Sequence, residues 1–294
     1  MRQGILLIAL AGCGAHNPGT CDQKHPCDDG FVCDFTDPAG PSCIDADGDL
    51  DGDGIANRDD HCPRSPGGLY DEDGDGIGDD CDPCPIAPPP AIPDDDGDDV
   101  DSPCDPDPHT PGDKIAAFSG FQTIPDNWIQ RTPGAWQVMG GEVVVTSPDT
   151  APETLKIPLS IPSNKIAILT AYRIDAVDGG TEHDVDVTAA DPRPAGGTTL
   201  LCGGQRTLNG DTLQLVTTEG GGSKPLTDLF NTASLYQVVG TTQNANAACA
   251  VVADHDMGAV SATISGDTLT QAGLSVKGVT ARFGYVLVVS RPPM

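Results

Sequence analysis

The sequence predicts an all-β protein: a two-sheet β-sandwich over residues 114–294, preceded by a coreless, disulfide-linked segment. Three observations lead there. Of 294 residues, 36 are Gly and 27 are Pro, so more than a fifth of the chain disfavours helix. Residues 114–294 break into apolar, β-branched runs separated by Gly, Asp, Asn and Pro, with no helical period. Residues 45–107 instead hold 22 acidic groups against Arg58 and Arg64 alone, a net charge of −20, with apolar side chains scattered singly. The whole chain has 44 Asp and Glu against 15 Lys and Arg, a net charge of −29. That balance excludes a nucleic-acid partner, which needs clustered Lys and Arg, and electrostatic docking on anionic lipid.

Residues 1–12 read as an export signal. Arg2 opens a short n-region, and Ile5-Leu6-Leu7-Ile8-Ala9-Leu10 follows as an apolar run too short to span a membrane. The run closes on Leu10-Ala11-Gly12-Cys13. This resembles the lipobox of bacterial lipoproteins: an apolar residue, two small ones, then the Cys that receives lipid. The resemblance implies cleavage before Cys13, acylation of Cys13, and a lipid anchor at the outer membrane or cell surface. Several acyl chains on one Cys anchor stably where a single chain is marginal.

The chain has 11 Cys, and setting Cys13 aside leaves an even ten. An exported compartment is oxidising, so disulfides are expected. Residues 13–44 carry the anchor Cys and a small bead built on Cys21, Cys27, Cys33 and Cys43. Four Cys allow three connectivities, of which Cys21–Cys33 with Cys27–Cys43 is preferred.

Residues 45–107 contain three stretches of one spacing. They are Asp49-x-Asp51-x-Asp53-Gly54-Ile55-x-Asn57-x-x-Asp60, Asp71-x-Asp73-x-Asp75-Gly76-Ile77-x-Asp79-x-x-Asp82, and Asp94-x-Asp96-x-Asp98-Asp99-Val100-x-Ser102-x-x-Asp105. Each puts oxygens at positions 1, 3, 5, 9 and 12 of a twelve-residue loop, with a backbone carbonyl from Ile55, Ile77 or Val100 at position 7. That is the ligand pattern of an EF-hand loop and points to Ca²⁺. Gly54 and Gly76 sit at position 6, where the loop turns sharply. The third loop has Asp99 there and is the weakest of the three. A segment this charged and this poor in apolar residues cannot fold by burial, so cation and disulfides stand in for a core. A disordered acidic spacer would not need three loops whose starts lie 22 and 23 residues apart. Zinc at Cys81-x-x-Cys84 is disfavoured, because the surrounding hard carboxylates suit Ca²⁺ better.

Helical flanks are missing, and Cys follows each loop instead: Cys62-Pro63, Cys81-Asp82-Pro83-Cys84-Pro85 and Cys104-Asp105-Pro106. In this the segment resembles thrombospondin type 3 repeats. The resemblance implies a Ca²⁺-wrapped, nearly coreless chain with disulfides between successive motifs, Cys62 with Cys81 and Cys84 with Cys104. Ca²⁺ is expected to stiffen it into a spacer, at affinities of about 10⁻⁴ to 10⁻³ M. Asp45 and Asp47 are candidates to assist an adjacent ion. Pro85 to Pro93 reads as a polyproline II strut, and residues 108–113 as the linker into the sandwich.

Residues 114–294 show clear strand runs at 136–138, 142–146, 165–174, 184–187, 212–216, 236–239, 249–252 and 281–289, some ten in all. Cys202 and Cys249 are expected to tie strands or adjoining loops. Trp136 ahead of Gly140-Gly141, with the closing run Val279 to Val289, resembles the concanavalin-like jelly rolls of the laminin-G and lectin kind. The resemblance implies that the last strand pairs near the first and that the domain binds carbohydrate or protein.

Glu182-His183-Asp184-Val185-Asp186 places three carboxylates on alternate strand positions. Retaining jelly-roll glucanases carry a similar Glu-x-Asp-x-Glu strand, and their chemistry needs two carboxyls ~5–5.5 Å apart. Here the last member is one methylene short, and the chain has only two Trp for sugar stacking. A glycosidase using Glu182 and Asp186 is therefore an alternative to an exposed acidic strand. His255, between Asp254 and Asp256, fits a surface loop better than a metal site. The expected whole is a non-enzymatic, Ca²⁺-binding surface lipoprotein whose stalk presents a β-sandwich for recognition or adhesion, with carbohydrate or a matrix or surface protein as partner. A structural or calcium-buffering role is the other alternative.

Overall fold

The structure, a computed structural model, describes residues 19–88, 94–190, 198–253, 257–266 and 268–292. The signal segment, Cys13, residues 89–93 of the Pro-rich stretch, and His255 with its two Asp neighbours lie outside the described residues. The chain divides into two compact units, Met1–Asp82 and Pro83–Met294. Regular structure among the described residues is entirely β.

In the first unit, β1 (Phe31–Asp34) and β2 (Ser42–Asp45) form an antiparallel hairpin that sets Cys33 opposite Cys43. The bead closes with Cys21–Cys33 and Cys27–Cys43, the preferred connectivity. Cys62–Cys81 joins the exits of the first two acidic loops. Two Cys and Pro63 are the only buried apolar side chains of this unit among the described residues. With no hydrocarbon core, order comes from covalent links and polar bonds. Arg64 illustrates this: its Nε donates to Asp34 Oδ2 at 2.6 Å and its Nη2 to Asp37 Oδ2 at 2.6 Å.

The second unit is a two-sheet jelly-roll sandwich. Its strands are β3 (Lys114–Ser119), β4 (Ile129–Gln130), β5 (Trp136–Val138), β6 (Val143–Thr146), β7 (Glu153–Ser163), β8 (Ile166–Val177), β9 (His183–Ala190), β10 (Thr198–Thr207), β11 (Gly210–Thr217), β12 (Gly220–Leu226), β13 (Leu235–Gln243), β14 (Asn246–Ala253), β15 (Met257–Thr263), β16 (Leu269–Lys277) and β17 (Val279–Ser290). One sheet runs β12-β11-β10-β9-β16-β7-β4 and the other β15-β14-β13-β8-β17-β6-β5. Along one edge β17 pairs with β8; along the other it meets first β6 and then β3, so the last strand returns to the first of the domain.

Period-two alternation builds the core. Val185, Val187 and Ala189 of β9 face inward with Leu213 and Leu215 of β11, Leu155 and Ile157 of β7, and Leu274 and Val276 of β16. In β17 the register shifts between Phe283 and Tyr285, around Gly284. The irregularity changes the parity, so Ala281 and Phe283 face the main core before it, and Val286 and Val288 after it. Few aromatics are available, and four of them cluster: Trp136, Phe283, Tyr172 and Tyr236 lie with successive ring centroids 5.2–5.7 Å apart. Cys202 of β10 and Cys249 of β14 are fully buried and bridge the two sheets through this core.

Among the described residues fifteen strands form where the sequence reads as about ten. Those with weak signals are rich in residues that blur the pattern. β12 is Gly-Gly-Gly-Ser-Lys-Pro-Leu, and its Pro225 is tolerated because the strand is an edge. β10 contains Gly203-Gly204. A Cβ at Gly203 would lie 2.0 Å from the Val185 carbonyl oxygen and 2.6 Å from Asp186 Oδ1, so packing demands the residue that weakens the strand signal.

The third acidic loop and residues 108–113 belong to the sandwich unit. The outward side chains of β17, Leu287 and Val289, pack with Val100, Cys84 and Cys104, the last two forming a disulfide. Ile115, Phe118 and Leu169 complete this second, smaller core.

Candidate cation loops and a polar sheet face

The three acidic loops share one backbone arrangement. The position-1 carboxylate caps the turn: Asp49 accepts from Gly52 N and Gly54 N, Asp71 from Gly74 N and Gly76 N, and Asp94 from Gly97 N and Asp99 N, at 2.7–3.1 Å. Position 6 is left-handed in all three, with φ of 98° at Gly54, 96° at Gly76 and 72° at Asp99. Asp99 therefore holds the conformation that Gly adopts freely, at the strain cost of a side chain. Position 4 is left-handed too, at Gly52, Gly74 and Gly97, a glycine signal that the ligand spacing alone does not include.

This turn brings one carboxylate oxygen from positions 1, 3 and 5 within 4.8 Å of one another in each loop: Asp49, Asp51 and Asp53; Asp71, Asp73 and Asp75; Asp94, Asp96 and Asp98. Position 9 turns elsewhere in the first two loops. Asn57 Oδ1 accepts from Leu50 N at 3.0 Å and Asp79 Oδ1 from Glu72 N at 2.8 Å, each bracing the loop entry. In the third loop Asp101 accepts from Asp94 N at 3.1 Å and braces that entry, one position before Ser102. At position 12, Asp60 and Asp82 are buried, and Asp105 joins Asp98 and Asp113 in a further carboxylate group. Ile55, Ile77 and Val100 have their N–H groups bonded to the position-5 carboxylates of Asp53, Asp75 and Asp98. Asp47 forms an ion pair with Arg58.

Several carboxylate oxygens in these loops are buried without a partner: Asp51 Oδ2 and Asp60 Oδ2 in the first, Asp73 Oδ2 in the second, and both oxygens of Asp96 in the third. Carboxylates crowded and shut off from water resist ionisation. Burial, then the neighbouring Asp75 and Asp71, pushes Asp73 up to about 6. Burial also raises Asp79 to about 6 and, with Asp113 in contact, Asp105 to about 7. Hard oxygens, left unpaired and held close, suit a divalent cation.

The seven-stranded sheet has a polar outer face. In cross-strand register it carries Thr154, Ser275, Lys277, Asp184, Asp186, Gln205, Thr212 and Gln214. The strand read as an exposed acidic one is only partly so. Asp186 is 2% exposed, and burial and Asp184 hold its carboxyl well above the carboxylate range. Gln214 Nε2 donates to both Asp184 and Asp186 at 3.4 Å. Glu182 pairs with Lys277. Of the glucanase-like pair, Glu182 is thus engaged by a cation and Asp186 is closed over.

No protein-family model matches the chain, and no curated protein matches it. Among solved structures, the chain is similar to the CBM2 module of the evolved Dit of Lactobacillus casei BL23 phage J-1, at TM-score 0.49 and 9% identity over 62% of this chain and 98% of that one. It is similar to the Bacillus licheniformis β-glucanase at TM-score 0.44 and 10% identity, over 62% and 99%. Lectin II from Ulex europaeus gives TM-score 0.44 and 13% identity, over 60% and 99%.

Proposed function

We propose that the chain is an exported, Ca²⁺-binding surface protein, lipid-anchored at Cys13, whose acidic loops take up Ca²⁺ and whose β-sandwich serves recognition or adhesion. The observation that carries the calcium reading is the set of buried, unpartnered oxygens on Asp51, Asp60, Asp73 and Asp96, within three loops of one geometry. The ligands proposed at each loop are the position 1, 3 and 5 carboxylates, joined by the position-12 carboxylates of Asp60, Asp82 and Asp105 and the carbonyls of Ile55, Ile77 and Val100. The recognition reading is supported by the row of Thr, Gln, Asp and Lys side chains on the seven-stranded sheet, a surface that can donate to and accept from a hydroxyl-rich ligand. Carbohydrate is the ligand class proposed, with a matrix or surface protein as the other partner.

The test has two arms on the full chain. Calorimetric titration with Ca²⁺ should register at least three ions per chain; no uptake at millimolar Ca²⁺ would overturn the calcium reading. A glycan panel in Ca²⁺ and in EGTA should retain the chain; no retention in either condition would overturn the carbohydrate reading and leave the protein partner. The polar face is also where a glycosidase would act. Hydrolysis lost in Glu182→Gln would replace the binding reading with that one.

A further inference from the structure

We propose that the chain cuts itself between Asp107 and Pro108, with the Asp107 carboxylate as nucleophile, and so parts the sandwich from the segment that carries the acidic loops. None of the five disulfides spans this bond: four close before it, and Cys202–Cys249 lies after it. All the sandwich strands, β3 to β17, follow it. The proposal is independent of the calcium and carbohydrate readings above.

Two features meet at Asp107. Its carbonyl oxygen accepts from two backbone donors in the turn that follows, His109 N at 2.7 Å and Thr110 N at 3.0 Å. Donors aimed at a carbonyl oxygen stabilise the negative charge it gains under attack. Its side chain is clamped through one oxygen only: Asp107 Oδ2 accepts from Arg291 Nη1 at 3.2 Å and from Gln243 Nε2 at 3.4 Å. Arg291 is buried and is itself fixed by Asp113, its Nε donating to Oδ1 at 3.2 Å. Among the described contacts Asp107 Oδ1 has no partner, which leaves a free oxygen in the residue whose carbonyl carbon it attacks. The chain has four other Asp–Pro bonds, after Asp37, Asp82, Asp105 and Asp191. The Asp37 carbonyl accepts from Gly40 N alone, and both its carboxylate oxygens are taken, Oδ1 by Ala39 N and Oδ2 by Ser42 Oγ and Arg64 Nη2. At Asp105, Oδ1 accepts from Asp107 N, and no backbone N–H reaches the carbonyl among the described contacts. Asp82 is buried, and Asp191 lies outside the described residues.

The chemistry closes a five-membered ring within one residue. Asp107 Oδ1 bonds to the Asp107 carbonyl carbon, the bond from that carbon to the Pro108 nitrogen breaks, and the nitrogen leaves with a proton from solvent. The cyclic anhydride that remains is opened by one water to the two carboxyl groups of a C-terminal Asp107, which returns the proton. Nucleophile and target share a residue, an arrangement with effective molarities of about 10⁵–10⁸ M when well oriented. Pro108 supplies the leaving group: its nitrogen carries three carbons and takes up the departing proton more readily than an ordinary peptide nitrogen. Asp107 and Pro108 are half-buried and His109 and Thr110 exposed, so water has access to the anhydride. After the cut Val100 and the Cys84–Cys104 disulfide still pack on Leu287 and Val289, and Arg291 still holds Asp107. Cleavage thus turns a covalent attachment of the sandwich into a non-covalent one.

The full chain would be incubated for days below its melting midpoint, with protease inhibitors, then reduced, denatured and weighed by mass spectrometry. One oxyanion donor in a water-excluded site is worth about 10²–10³ in rate, and in this half-buried turn the expected preference is about tenfold. A fragment beginning at Pro108 should therefore accumulate about tenfold faster than products of the four other Asp–Pro bonds. In guanidinium chloride, where the turn is lost, the five bonds should be cut alike. Hydroxylamine present during incubation should intercept the anhydride and leave Asp107 as a C-terminal hydroxamate. Asp107→Ala, which removes the nucleophile, and Pro108→Ala, which removes the leaving group, should each lose the product. The chain's two Trp, Trp128 and Trp136, both lie in the sandwich unit, so Trp-read melting shows whether each variant has kept that fold. Should neither variant fold, the hydroxamate and the folded-state preference of the wild type still decide. No preference for the Asp107–Pro108 bond in the folded chain, a fragment beginning at Pro108 from folded Asp107→Ala, or cleavage without hydroxamate would each overturn the proposal.

Discussion

Cation removal should open the second loop, and the structure sets the scale. Asp71, Asp73 and Asp75 hold carboxylate oxygens within 4.8 Å of one another. At that separation an ionised pair repels by roughly 3.5 kcal/mol at an effective dielectric of about 20, before further solvent screening. Small domains have total stabilities of about 5–15 kcal/mol, so a fully ionised triad strains the loop by a large fraction of what its unit has. Without a cation the loop must retain a proton, as the raised Asp73 indicates, or open. Glu72 is exposed within this loop and is the only Glu in the first unit, so a Glu-specific protease reports loop 2 through one cut. With free Ca²⁺ at ten times the site's Kd, binding lowers the open population about tenfold. Cleavage after Glu72 should therefore run about tenfold faster in EGTA than in Ca²⁺. Equal rates would refute the reasoning, because a loop indifferent to Ca²⁺ owes its shape to Cys62–Cys81 and backbone bonds alone.

Other outcomes follow from the same geometry. Asp73, Asp79 and Asp105 have folded values near 6 to 7, above the ordinary 3.8, so in EGTA they stabilise the fold below about pH 4 and that contribution is lost as pH rises through 6–7. The melting midpoint in EGTA should fall between pH 5 and 8, whereas in saturating Ca²⁺, which binds the ionised form, it should not; parallel pH profiles with and without Ca²⁺ would count against the loops as ligands. Gly203→Ala puts a Cβ against the Val185 carbonyl and Asp186, and should cost about 1–3 kcal/mol in urea unfolding read by Trp fluorescence. Phe283→Ala removes a fully buried ring between Trp136 and Tyr172 and should cost about 3–5 kcal/mol in the same assay.

Sequence and structure divide along the range of the interactions. The loops were legible because their bonds are local: Asp49 reaches Gly52 and Gly54, and Asp71 reaches Gly74 and Gly76, all within five residues. Ligand spacing, position-6 glycine and the flanking Cys are therefore written side by side in the chain. The regularly alternating strands were legible for the same reason, since β6, β8, β11 and β17 carry their pattern in their own residues. Strands such as β10 and β12 were not, because their residues are set by what lies across the sheet. Gly203 is there for Asp186, 17 positions away in sequence and opposite it in register.

By itself the sequence determined the all-β class, the three acidic loops and the oxidised cysteine framework, since each rests on neighbours in the chain. Only the tertiary structure decided that the third loop belongs with the sandwich, that Cys202–Cys249 crosses between its sheets, that Asp186 is buried, and that Asp113 meets Arg291 across 178 positions. These depend on strands far apart in sequence being stacked and paired by burial of apolar surface, a global balance that no local spacing records.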